Sequence, residues 1–96
     1  MTEGPRFEGH FTVAQELGFH LRPAGRFVRL AGRFASQIEV SLTSGDWVSG
    51  ESLLALASLG AVKGAVLRVR ACGADAEEAV AALGRLIEDP VEPTTG

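Results

Sequence analysis

A chain of 96 residues, 46% hydrophobic and 22% charged, has the composition of one globular domain and leaves little room for a second domain or a deep substrate cleft. Its net charge of −3 argues weakly against nucleic acid as a partner, and its longest apolar runs are far too short to cross a bilayer. The first residues carry no basic stretch followed by an apolar one, so no secretory signal is read. The single Cys72 can make no internal disulfide and has no metal-ligand spacing around it, so a reducing, cytoplasmic setting is expected, with Cys72 a small apolar residue at a strand end. The domain is expected over residues 6–88, between loose ends at 1–5 and 89–96.

In chain order, Phe7, Phe11 and Val13 alternate with polar residues and predict a first strand. Gly18–Pro23 reads as a loop entering a helix. Ala24, Phe27, Val28, Ala31 and Phe34 then recur at helical spacing and predict its buried face. Arg22, Arg26, Arg29 and Arg33 fall four, three and four apart, a single basic stripe opposite that face. Ile38, Val40 and Leu42 alternate with Glu39 and Ser41 as a second strand. Thr43–Asp46 reads as a hairpin turn, and Trp47-Val48 as a short third strand.

Ser49–Ser52 offers serine caps to a short helix starting at Leu53, with Gly60 as its stop. Leu67, Val69 and Ala71 alternate with Arg68 and Arg70 as a fourth strand. Asp75 and Glu78 resemble a capping box, followed by an amphipathic helix through Ala79, Val80, Leu83, Leu86 and Ile87 that ends before Pro90. The order βαββαβα predicts an α+β two-layer sandwich with helices on one sheet face. The other face is expected to be solvated, with Glu39, Ser41, Arg68 and Arg70 pointing outward.

His20 is the sharpest candidate for chemistry. It stands just before a helix whose first turn holds Pro23, where unpaired amides and the helix dipole favour an anion such as phosphate. Imidazole is in good part an uncharged nucleophile near neutral pH, and Arg22 could hold phosphoryl oxygens by charge-assisted bonds. A histidine before a helix is also an ordinary loop or cap residue, so physics alone leaves both readings open. His10 reads as a solvent-facing strand residue, and the two histidines form no metal pair. Trp47 reads as structural or as a hairpin surface residue. No metal or cofactor is expected, and no nucleophile–base pair points to an independent enzyme.

Gly18-Phe19-His20-Leu21-Arg22-Pro23-Ala24 is similar to the G-x-H-x-R-P-A signature of the HPr family, the histidine phosphocarriers of the bacterial phosphotransferase system. Ser52-Leu53-Leu54, Ser58-Leu59-Gly60 and Lys63-Gly64 resemble the family's second signature. The resemblance covers roughly residues 6–88. It implies an open-faced β-sandwich, a four-stranded antiparallel sheet with three helices. It also implies phosphoryl transfer from phosphoenolpyruvate-charged enzyme I to Nδ1 of His20, and on to an enzyme IIA protein of sugar transport, in a carrier that needs partner enzymes.

By the same resemblance, Arg22 stabilises the phosphate, and Phe19, Leu21, Arg26, Arg29, Leu53, Leu54 and Ala57 belong to the partner-docking surface. Ser52 matches a serine that an HPr kinase phosphorylates in many members, although Glu51 stands where many carry lysine, and its charge would repel a phosphate. A monomer is expected, with no membrane insertion. Leu17 departs from the polar residue usual in sugar-transport members and resembles the nitrogen-branch paralogues, which act as phosphorylation-dependent regulatory modules. That branch is the alternative reading.

Overall fold

The computed structural model describes residues 4–90. Its elements are β1 (Arg6–Thr12), α1 (Leu21–Ala31), β2 (Gln37–Leu42), β3 (Val48–Ser49), α2 (Leu53–Ala57), β4 (Val66–Cys72) and α3 (Ala76–Ile87). The strands form one antiparallel sheet in the order β1-β4-β2-β3. This is the α+β fold expected. Of the expected loose ends, residues 1–3 and 91–96 lie outside the described residues. Pro5 accepts a backbone bond from Gly73 (2.9 Å), and the Asp89 carbonyl accepts one from the Gln15 side chain (2.6 Å).

Alternation builds the core side of the sheet. Ile38 and Val40 on β2 and Leu67, Val69 and Ala71 on β4 are buried under Ala24, Phe27 and Ala31 of α1 and under Ala79, Val80, Leu83 and Ile87 of α3. Two glycines make this packing possible at β1. A Cβ on Gly9 would lie 2.6 Å from the Phe11 ring and 2.9 Å from Val80, and one on Gly84 of α3 would also strike the Phe11 ring. The ring therefore occupies a slot between its own strand and α3. Gly84→Ala would gain about 1 kcal/mol of helix propensity, yet overpacking a filled site costs about 1–3 kcal/mol. The substitution is expected to lower the urea midpoint, and pairing it with Phe11→Leu is expected to recover part of the loss.

Arg33 does not extend the arginine stripe, because α1 ends at Ala31. The amides of Arg33 and Phe34 bond back three residues, to Leu30 (3.0 Å) and Ala31 (3.1 Å), and the tightened turn carries Arg33 off the helix face. The third strand starts at Val48, with Val48 opposite Val40 and Ser49 opposite Glu39. Trp47 lies outside it and stacks on the sheet's outer face, its ring centre 4.5 Å from the Arg68 guanidinium and 3.8 Å from that of Arg70. That face is therefore partly covered rather than simply solvated. Arg70 pairs with Glu39 (2.7 Å), Arg68 donates to the Ser41 hydroxyl (3.0 Å), and Ser41 is fully buried.

Asp75 does not form the capping box expected of it. It occupies the cap position of α3, but its carboxylate makes no bond to that helix. It accepts instead from the Ala35 amide (2.9 Å), the Ser36 amide (3.0 Å) and the Ser36 hydroxyl (2.6 Å), tying the α1–β2 connection to the start of α3. The Ser36 hydroxyl and then the Ala35 amide hold its pKa below the ordinary aspartate value. A group depressed in the folded state contributes stability above its unfolded pKa and loses it as pH falls through the folded value. Wild-type stability is therefore expected to drop in acid below about pH 4. Asp75→Asn is expected to be less stable at pH 7 and to lose less on acidification, as urea midpoints at the two pH values would read.

Candidate functional site

The segment before α1 is held in place from several sides. The Val13 amide bonds to the Ala65 carbonyl, Gly64 bonds to Val13, and Phe19 bonds to Ala61, each at 2.8 Å. Gly18 has φ +79, and a Cβ there would lie 2.6 Å from the Ala61 oxygen, so both the backbone angle and the contact require glycine. Gln15, which has no periodicity to mark it, is buried and donates from Nε2 to the carbonyls of Leu86 (3.1 Å) and Asp89 (2.6 Å). The loop is thereby pinned to the end of α3 as well as to the α2–β4 connection.

This scaffold delivers His20 to the cap of α1. Its backbone is extended (φ −83, ψ −167), its carbonyl accepts the first helical bond from Ala24 (3.0 Å), and its ring Nδ1 accepts the Arg22 amide at 3.4 Å. In the neutral ring, an Nδ1 that accepts this amide carries the lone pair and leaves the ring proton on Nε2. Nδ1 thus faces the positive end of an 11-residue helix whose first turn contains no acidic side chain. The half-buried ring has the exposed Arg22 two residues on and the buried Pro23 behind it. A phosphoryl group on Nδ1 would meet the Arg22 amide and the helix dipole together.

The predicted neighbours divide into two sets. Leu21 (57% exposed), Leu53 and Leu54 (75%) are open, Ala57 and Arg26 are half-buried, and Arg29 is exposed in the last turn of α1. α1 packs against α2, which brings the two segments together. Phe19 does not belong to an open surface. It is 2% exposed and meets Phe27 edge to face, with ring centres 5.8 Å apart at 88°. Its place beside His20 thus serves the core, because the turn at Gly18 directs the ring inward.

Ser52 caps α2, its hydroxyl accepting the Ala55 amide at 3.2 Å. His10 faces outward and bonds to Glu8 at 2.9 Å. No group of metal-binding side chains is present among the described residues. Two exposed residues that sequence reasoning did not place in the site, Leu17 and Val62, lie on the connections either side of the Gly18–Ala61 contact.

The family sequence pattern described as the PTS HPr component phosphorylation site matches residues 7–89. The chain is 37% identical to phosphocarrier protein HPr of Pseudomonas aeruginosa over 78 residues, 81% of this chain and 87% of that one. It is 39% identical to HPr of Vibrio cholerae over 82 residues, covering 85% and 95%. The fold superposes on the crystal structure of HPr from Bacillus anthracis with a TM-score of 0.81 at 30% identity, covering 88% of this chain and 99% of that one. Matched across nearly its whole described length, the chain belongs to the HPr family, phosphoryl carriers of the phosphotransferase system rather than catalytic enzymes.

Proposed function

We propose that His20 is the phosphoryl acceptor, taking the group from phosphorylated enzyme I on Nδ1 and passing it to an enzyme IIA protein. The observation that carries this reading is the direction of Nδ1, turned toward the first-turn amide of α1 with Arg22 adjacent. In the forward step the Nδ1 lone pair forms a bond to phosphorus as the bond from phosphorus to the donor's carrier atom breaks. The donor keeps that electron pair, and the His20 proton stays on Nε2. The Arg22 amide, released from Nδ1, can then bond to a phosphoryl oxygen, with the guanidinium balancing the added charge. Onward transfer reverses the step toward the next acceptor. The docking surface comprises Leu21, Leu53 and Leu54, with Ala57, Arg26 and Arg29 at its margin. An apolar centre with a basic edge suits a short-lived complex with acidic proteins.

Ser52 is proposed as a second, regulatory acceptor for an HPr kinase. Phosphorylation there would turn the α2 cap from a hydroxyl into a phosphate beside Glu51. A cytoplasmic monomer fits this carrier role, and no helix among the described residues is long and apolar enough to cross a membrane.

The test is incubation with enzyme I and labelled phosphoenolpyruvate. The reading expects enzyme I-dependent, acid-labile label that maps to His20 and is discharged by enzyme IIA. Absence of label, or label on another residue, would refute it.

A further inference from the structure

β1 is an edge strand: β4 pairs with one side of it, and among the described residues no strand pairs with the other. The backbone bonds show which groups are left over. The Pro5 carbonyl accepts from Gly73 (2.9 Å) and the Val13 amide donates to Ala65 (2.8 Å), so the odd-numbered residues turn toward β4. The Thr12 amide points the other way, where the Glu88 carboxylate accepts it at 2.9 Å. The amides and carbonyls of Glu8 and His10 share that direction and stand open along the edge. Glu88 thus closes only the end of the row. Phe7, 41% exposed, is the one large apolar side chain exposed on a strand among the described residues. The stretch Phe7-Glu8-Gly9-His10-Phe11 has the same order in both directions: aromatic, polar, glycine, polar, aromatic. Its two polar members are chemically matched, and Glu8 and His10 already bond to each other at 2.9 Å.

We propose that β1 pairs antiparallel with β1 of a second copy of this chain, across a two-fold axis at Gly9, in a weak and reversible dimer. The inference does not rest on the His20 reading. In such a pair, residues with open backbone groups must face each other, which leaves three central registers. Centring on Glu8 sets that carboxylate against its own copy, and centring on His10 does the same for the imidazole. Centring on Gly9 sets each Glu8 against a His10. Each such pair exchanges both backbone bonds, four in all, and an imidazole N–H can donate to the carboxylate in either protonation state. Glycine at the axis leaves no side chain between the strands where they approach to about 4.5 Å between Cα atoms. On the helix side each exposed Phe7 comes opposite a Phe11 and is withdrawn from water. α3 packs on β4 as well as β1, so it lies inboard of the edge, and the two copies of α3 come about 10 Å apart, an ordinary spacing for packed helices. With Glu88 holding the Thr12 amide, the paired run is short, which keeps the dimer weak.

The test is sedimentation equilibrium of the full chain from about 10 μM to about 2 mM, where wild type is expected to dimerise with a Kd of about 0.1–1 mM. His10→Glu sets carboxylate against carboxylate at both pairs and is expected to raise Kd about tenfold or more. Glu8→His/His10→Glu exchanges the two residues, keeps every Glu opposite a His, and is expected to return Kd to within about threefold of wild type. Both positions are exposed, so thermal midpoints of the three chains are expected to agree. In wild type, amide exchange at Glu8 and His10 is expected to slow as concentration rises, while Gly9, already bonded to β4, stays unchanged. A wild type that stays monomeric throughout overturns the proposal. An unchanged Kd in His10→Glu, or an exchange variant as weak as His10→Glu, also overturns it, since the contact would then lie on another surface. Exchange at Glu8 and His10 that ignores concentration does the same.

Discussion

His20→Ala is expected to abolish acid-labile phosphoryl uptake completely, and His20→Asn to do the same while keeping the wild-type fold. The two variants separate roles that one ring combines. In wild type, Nδ1 accepts the Arg22 amide and so caps α1. Alanine removes both the cap and the acceptor, at a stability cost of about 0.5–1 kcal/mol for this long bond. Asparagine is among the best cap residues and can accept the same amide, but its side-chain amide is no nucleophile toward phosphorus. Equal loss of label with unequal urea midpoints would assign the chemistry to the imidazole and the cap to its position. Label retained by the asparagine variant would place the acceptor elsewhere.

Phe27→Ala is expected to produce the largest loss of stability, about 3–5 kcal/mol, measured as a lowered urea midpoint with little change in slope. Folded domains of this size have only about 5–15 kcal/mol in total, so a large share is at stake. Phe27 has no exposed surface, lies at the centre of α1's buried face and supports the Phe19 ring edge to face. Removing it opens a cavity directly beneath the residue that precedes His20. Uptake of label is therefore expected to slow even at temperatures where the variant remains folded. Phe27→Leu, which keeps most of the volume, is expected to cost less than half as much in stability and to restore the rate.

The main architecture was legible because it depends on short periods. Ala24, Phe27 and Ala31 mark α1, Val80, Leu83 and Ile87 mark α3, and Leu67, Val69 and Ala71 alternate along β4, all of them buried as expected. His20 and the cap of α1 were legible because a helix start is a local event. The misplaced features depend on distant partners or on backbone angles. Asp75 has a capping sequence around it, yet its hydrogen-bond partners lie about 40 positions earlier in the chain. Phe19 lies in a loop where no period tells inside from outside, and the positive φ of Gly18 decides the question. Trp47 looked like a strand residue until the two arginines of β4 gave its ring a cationic bed. Leu17 and Val62 sit in connections between elements, where no period marks them as outward, and their exposure is read only from the fold.

The stacked indole has an optical consequence. The chain holds one tryptophan and no tyrosine, so its near-ultraviolet emission arises almost wholly from a single ring. That ring lies on the outer face of the sheet, whereas His20 belongs to the helix that covers the opposite face. Its fluorescence thus reports whether β4 and the hairpin are assembled, and stays separate from the charge that comes and goes on the imidazole. Structural integrity and phosphoryl occupancy are written into different signals of the same small molecule.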